Sequence, residues 1–138
     1  MINLPNFEKA FEYENNFYLS CDITRISKIL AHYEIYKMIK EITGEIVECG
    51  VFKGASYLRF AMFREIFSNP YSKKIIGFDT FGKFPETSFQ DDEKARTQFI
   101  DSAGSDSISK EQLLKILDNK GLNKHVELIE GDITETVP

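Results

Sequence analysis

Apolar residues recur along this chain at two different spacings, and the alternation between them predicts its architecture. In DITRISKILAHYEIYKMIKEITG, residues Ile26, Ile29, Leu30, Tyr33, Tyr36 and Ile39 return every three or four positions. That period predicts an amphipathic helix of about four or five turns. Asp22 or Thr24 is placed to cap its start and Gly44 to close its end. EIVECG then gathers Ile46, Val47 and Cys49 into a run too short for a helix, which predicts a buried strand of the parallel type. Residues 54–67 return to helical spacing until SNPYS breaks it, and KIIGFD reads as a second strand ending at Asp79. ISKEQLLKILDNKG predicts a helix with Ser107 or Ser109 as cap and Gly121 as terminator, and HVELIEGD a third strand. Residues 1–22 show no clear period and read as an arm with one short helix near residues 7–13. The long mixed stretch TFGKFPETSFQDDEKARTQFIDSAGSDS is expected to carry one helix, about residues 91–101. Long segments between core elements are often lids or substrate loops.

Strand, helix, strand, helix, strand is the signature of a parallel sheet with helices over its faces. The expected class is α/β with a Rossmann-like sheet of about three parallel strands. Residues 1–43 form the arm and amphipathic helix, and residues 44–138 the sheet-bearing domain. Right-handed crossovers bring the strand C-terminal ends to one rim, where ligands of such sheets bind. Three turn sequences fall there: ECGVFKG, FDTFGKF and EGDITE.

Composition narrows the function classes. The chain has 138 residues, enough for one domain, and a net charge of -5 with Lys and Arg scattered along it. That disfavours nucleic acid, which selects a basic stripe. Cys21 and Cys49 have no paired-ligand spacing and predict no disulfide framework; Cys49 reads as a small buried thiol of the first strand. The N-terminus lacks the basic start and apolar core of a signal peptide, and no apolar run approaches membrane-spanning length. A reducing cytoplasm is the expected location, with no membrane partner.

A glycine turn between strand and helix points to a small cofactor. The dinucleotide fingerprint asks for G-x-G-x-x-G or A. With Gly50 first, Phe52 falls at the second glycine, where a ring would obstruct a pyrophosphate. No G-x-x-x-x-G-K-[ST] loop is present. S-adenosylmethionine fits the residues better. Glu48 can hold its amine, while Gly50 and Gly54 allow close backbone approach. The N–H groups around Ala55 and Ser56 suit its carboxylate. Asp79 can accept from both ribose hydroxyls. Gly131 and Asp132 follow the third strand, where the Asp132 carboxylate can accept from the adenine amine. Asp79 and Asp132 also read as turn and helix caps, and Lys53 as a solvated side chain.

GEIVECGVFKGAS, IIGFDTFGKFPE and VELIEGDITETVP together resemble the macrocin O-methyltransferase (TylF) family over about residues 24–138. The resemblance implies an S-adenosylmethionine-dependent class I enzyme that methylates a hydroxyl of a sugar or glycosylated metabolite. It implies Glu48 and Gly50 at the cofactor turn, Asp79 at the ribose, Asp132 near the adenine, and a mobile segment near the substrate fed by TFGKFPE. Family members are longer, with a seven-stranded sheet whose first strand is central. Their divalent metal, expected to be magnesium, is held by carboxylates beyond the three strands seen here, so no metal ligand is assigned to this chain. The chain is therefore expected to be a truncated portion, inactive alone, or to have a partner on the open edge of its first strand. His32 and His125 read as structural or exposed, and no catalytic residue is assigned. Asp91 and Asp92 read as a solvated helix start. Phe81, Phe84 and Phe89 can line a pocket for a sugar or macrolide face or form the hydrophobic underside of a lid, the second being the preferred expectation, and the long helix is a candidate element of a homo-oligomer. A cofactor-binding or interaction module without activity, and an unrelated nucleotide-binding domain, are the alternatives.

Overall fold

The computed structural model describes residues 1–84, 86 and 90–137; the side chains of Gln90 and Asp91 are outside that description, as is Phe89. A short 3-10 turn, Phe7–Lys9, leads into α1 (Ala10–Ser20) and α2 (Ile23–Ile39). Then follow β1 (Ile46–Cys49), α3 (Ala55–Phe67), β2 (Ile75–Asp79), α4 (Gln90–Ala103), α5 (Lys110–Asn119), β3 (Val126–Glu130) and α6 (Ile133–Thr136). The strands form one parallel sheet in the order β1-β2-β3. Glu48 lies opposite Gly77, and Asp79 opposite Glu130, so the three strand ends share one rim.

Helix boundaries follow their caps. The Asp22 carboxylate accepts from Thr24 N–H at 2.8 Å and starts α2. Ser109 and Gln112 form a reciprocal capping box at α5. α1 extends beyond the short helix expected from the sequence, and it does so with Phe11 and Leu19 exposed. Its residues lack an apolar face because the helix buries none, so periodicity could not reveal it.

α2 packs on α3 through aromatic rings. Tyr36 and Tyr33 meet Phe63 at centroid distances of 5.9 and 6.1 Å, and His32 stacks on Phe60 at 5.2 Å. The fully buried Tyr36 also bonds Ser68 Oγ at 3.0 Å. Leu30, expected on the inner face, is exposed, together with Ile23 and Met38. Below the sheet, the buried Arg64 guanidinium donates to the carbonyls of Lys73, Lys124 and His125. It thereby ties α3 to the segments that enter β2 and β3. Tyr57, also fully buried, donates to the Ile75 and Glu127 carbonyls. Ile75, Leu113 and Leu117 complete the centre of the core.

β1 differs from its expected setting. Among the described residues it pairs only with β2, and just Ile46 of its four residues is buried. Cys49 is exposed rather than a buried thiol, because it sits at the rim end of a strand with one unpaired edge. Phe81 also departs from expectation. It is buried in the core, not under a lid.

Candidate functional site

The rim begins with the turn from β1 to α3. Gly50 has φ +90, and a Cβ built there would meet nothing within 4 Å. A left-handed residue beside open space is what close backbone approach to a ligand requires. Gly54 has a different reason. It is buried with φ +80, and a Cβ would lie 3.2 Å from Leu113 Cδ1. Gly54 therefore permits the packing of α3 against α5, and faces the core.

Asp79 closes β2 and braces this turn. Its Oδ2 accepts from Val51 N–H at 2.7 Å and Phe52 N–H at 2.8 Å, while Oδ1 accepts from Phe81 N–H at 2.8 Å. Phe52 and Phe81 both hold positive φ, at 52° and 50°. These backbones are strained for bulky residues, and the carboxylate fixes them in place. Gly131 N–H donates to the Asp79 carbonyl at 3.0 Å, which joins the third turn to the second.

Asp132 caps α6. Its Oδ1 accepts from Thr134 N–H at 2.8 Å and Thr134 Oγ1 at 2.6 Å. Those bonds hold its carboxyl below the usual aspartate value.

Gly50, Asp79, Gly131 and Asp132 line one cavity of about 450 Å³, together with Cys49, Phe78 and Thr80. Contributions from all three strand ends thus converge on one hollow, of a size suited to a small cofactor. Phe52, Phe84 and Phe99 form its aromatic wall, with centroid separations of 5.1 to 6.4 Å.

Glu48 is turned elsewhere. With Ser56, Lys28 and His32 it lines a neighbouring cavity of about 240 Å³ beneath α2. Its Oε1 accepts from Ser56 Oγ. Burial raises its pKa above the ordinary value; the Ser56 bond and Lys28 oppose that rise, and Asp79 adds to it. Glu48 therefore sits within electrostatic reach of Asp79 while facing a different space. Gly50 and Ser56 also border a third cavity, of about 940 Å³, on the far side of Phe52 and Phe99.

Two wall residues, Phe52 and Phe99, escaped the sequence reading as site residues. Phe52 left a signal, since it occupies the position where a dinucleotide turn would carry glycine. Phe99 left little: it is one apolar residue in the polar helix α4. Among the described residues no group of three His, Cys, Asp or Glu side chains is arranged to hold a metal ion. No helix among them is long and apolar enough to cross a membrane.

No protein-family model matches the chain, nor does any curated protein. Solved structures do match. The calicheamicin methyltransferase CalS11 superposes with a TM-score of 0.70 at 28% identity, over 99% of this chain and 55% of that one. An apo structure of CalS11, described as a TDP-rhamnose 3′-O-methyltransferase of calicheamicin biosynthesis, gives 0.56 at 26% identity, over 99% of this chain and 52% of that one. The O-methyltransferase NovP gives 0.60 at 20% identity over 84% of this chain and 48% of that one, a likeness of fold alone. The chain spans about half the length of these proteins. It has the Rossmann-like α/β fold of methyltransferases, and the resemblance to the TylF-like family agrees with these neighbours.

Proposed function

We propose that this chain binds S-adenosylmethionine at the strand-end rim and serves the O-methylation of a sugar or of a glycosylated small molecule. The observation that carries the reading is the convergence of Gly50, Asp79, Gly131 and Asp132 on one cavity from three consecutive strand ends. The open space at Gly50 fits such a ligand, because any side chain there would project from a left-handed backbone into the approach path.

When bound, S-adenosylmethionine supplies an activated methyl group to an acceptor hydroxyl oxygen, which loses its proton as the neutral thioether leaves. The residues of this chain supply position. Asp132 presents a carboxylate at the cavity mouth, suited to an adenine amine. Asp79 stands at the ribose end, and its three backbone bonds give the turn a fixed shape. Ser56 borders the space beyond Gly50, suited to the methionine end, and Glu48, facing the neighbouring cavity, would act on it through the Ser56 hydroxyl that it holds. Phe52, Phe84 and Phe99 give the bound cofactor an apolar wall. Holding the reacting atoms in line is worth several kcal/mol in such transfers, on the order of 7 or more when alignment is complete.

The sugar class of acceptor is supported by CalS11, whose described activity is on TDP-rhamnose. Titration calorimetry with S-adenosylmethionine and, separately, with NAD tests the cofactor. Methyl-donor binding with turnover of a sugar acceptor supports the full reading. Methyl-donor binding without turnover leaves a cofactor-binding module, and NAD binding overturns the reading.

A further inference from the structure

The sequence offers two serines for the start of α5, and the fold uses one. Ser109 takes the capping box with Gln112, which leaves Ser107 without that task. Ser107 is buried, at 5% exposure, and lines the strand-end cavity. Its backbone N–H donates to the Gly82 carbonyl at 2.9 Å, and the next N–H, of Ile108, donates to the Phe52 carbonyl at 2.9 Å. Those bonds fix the serine between the turn after β2 and the aromatic wall. Its hydroxyl makes no hydrogen bond among the described residues. Nor is that oxygen sealed in. Among the described residues the fully enclosed side-chain nitrogen or oxygen without a partner is Arg64 Nε, so the Ser107 hydroxyl still reaches open space, and the space that it borders is the cavity.

We propose that Ser107 is a further cofactor-binding residue, whose hydroxyl takes the ribose hydroxyl that Asp79 has no free site to hold. This inference rests on the methyl-donor reading above and deepens it. A carboxylate has about four lone-pair sites. The N–H groups of Val51, Phe52 and Phe81 fill three of those on Asp79, two on Oδ2 and one on Oδ1. A single site remains, on Oδ1, whereas a ribose brings two hydroxyls. Thr80 also lines the cavity, but it is exposed, and water serves its hydroxyl with or without a ligand. A buried hydroxyl without a partner gains more, because the ligand supplies the bond that folding did not. A serine hydroxyl both donates and accepts, so it can meet a ribose hydroxyl in either sense. Since the Ser107 hydroxyl serves no bond within the protein, removing it separates binding from folding.

The test is titration calorimetry of the parent protein and of Ser107→Ala with S-adenosylhomocysteine, the demethylated form of the donor, and with its 2′-deoxyribose and 3′-deoxyribose analogues. The parent should bind S-adenosylhomocysteine more tightly than at least one of the analogues. Ser107→Ala should bind S-adenosylhomocysteine about 5-fold more weakly, and should lose about 5-fold of the parent's discrimination against that analogue. Its midpoint in urea denaturation should match that of the parent. Variant affinity within about twofold of the parent overturns the proposal. So does discrimination against both analogues kept in full by the variant, or absent from the parent. A lowered urea midpoint also overturns it, since the hydroxyl would then be spent inside the fold. Failure of the parent to bind S-adenosylhomocysteine overturns the methyl-donor reading, and this proposal with it. Binding by the parent with no effect of Ser107→Ala overturns this proposal alone.

Discussion

Replacing Asp79 by Asn tests the brace on which the rim depends. The carboxylate accepts three backbone N–H bonds, two on Oδ2 and one on Oδ1, all between 2.7 and 2.8 Å. An amide of the same shape has a single acceptor oxygen. If that oxygen stays with Val51 and Phe52, the new NH2 faces Phe81 N–H, donor against donor. One charge-assisted bond is lost outright and two become neutral. Bonds to charged groups are worth about 1.5–3 kcal/mol, and neutral ones about 1. The net loss is roughly 3 kcal/mol, or about 5 if Phe81 N–H finds no other acceptor. The turn also holds Phe52 and Phe81 at positive φ, so release of either should deform the cofactor cavity. Urea denaturation should therefore show the unfolding free energy of Asp79→Asn lowered by about 3 kcal/mol. Calorimetry should show S-adenosylmethionine affinity lowered more than ~10-fold. A variant within about 0.5 kcal/mol of the parent, binding the ligand unchanged, would refute the bracing role.

Three further outcomes follow from neighbouring groups. Glu48 holds its proton more tightly in the folded protein than in the unfolded chain, chiefly through burial. It thus contributes stability below the ordinary value of 4.5 that is lost as pH rises through its folded value. Glu48→Gln should flatten that part of the pH–stability profile in chemical denaturation, and weaken S-adenosylmethionine by up to ~10-fold by releasing the Ser56 hydroxyl that it holds; an unchanged profile would exclude the burial effect. Gly77→Ala would set a Cβ 2.9 Å from both Tyr57 Cε2 and Val51 Cγ2, so denaturation should show a loss of about 2 kcal/mol, and a neutral result would mean that this packing can relax. Arg64→Leu leaves the Lys73, Lys124 and His125 carbonyls without their buried donor and should lower the unfolding free energy by about 3–5 kcal/mol; a loss below about 1 kcal/mol would show that water replaces the guanidinium.

The order of strands and helices was legible because each element carries its own local signal. Ser109 and Gln112 spell a capping box, and KIIGFD is short, apolar and bounded by turns. Gly50, Asp79 and Asp132 could be placed beside one another because the topology alone sends strand ends to one rim. The sequence did not reveal what those residues hold. Asp79 reads as a ribose acceptor, yet its bonds go to the backbone of the adjacent turn, through donors that arise only when Val51 and Phe52 fold toward it. Glu48 and Asp79 sit at the ends of paired strands, but alternation within β1 turns Glu48 toward α2. Cys49 reads as buried because EIVECG is rich in apolar residues, whereas burial depends on neighbours, and among the described residues β1 has a strand on one edge only. Basic side chains show the same limit. Arg25, Lys28, Lys53 and Arg59 belong to three separate segments, and only packing brings them to one cavity.

The central claim is that the strand-end cavity receives a methyl donor. Titration of the protein with S-adenosylmethionine, repeated after Gly50→Val, tests it most directly. One-to-one binding by the parent, and loss of that binding when a branched side chain projects from the left-handed turn, is the predicted result. Binding of NAD in its place, or S-adenosylmethionine affinity indifferent to Gly50→Val, would contradict it.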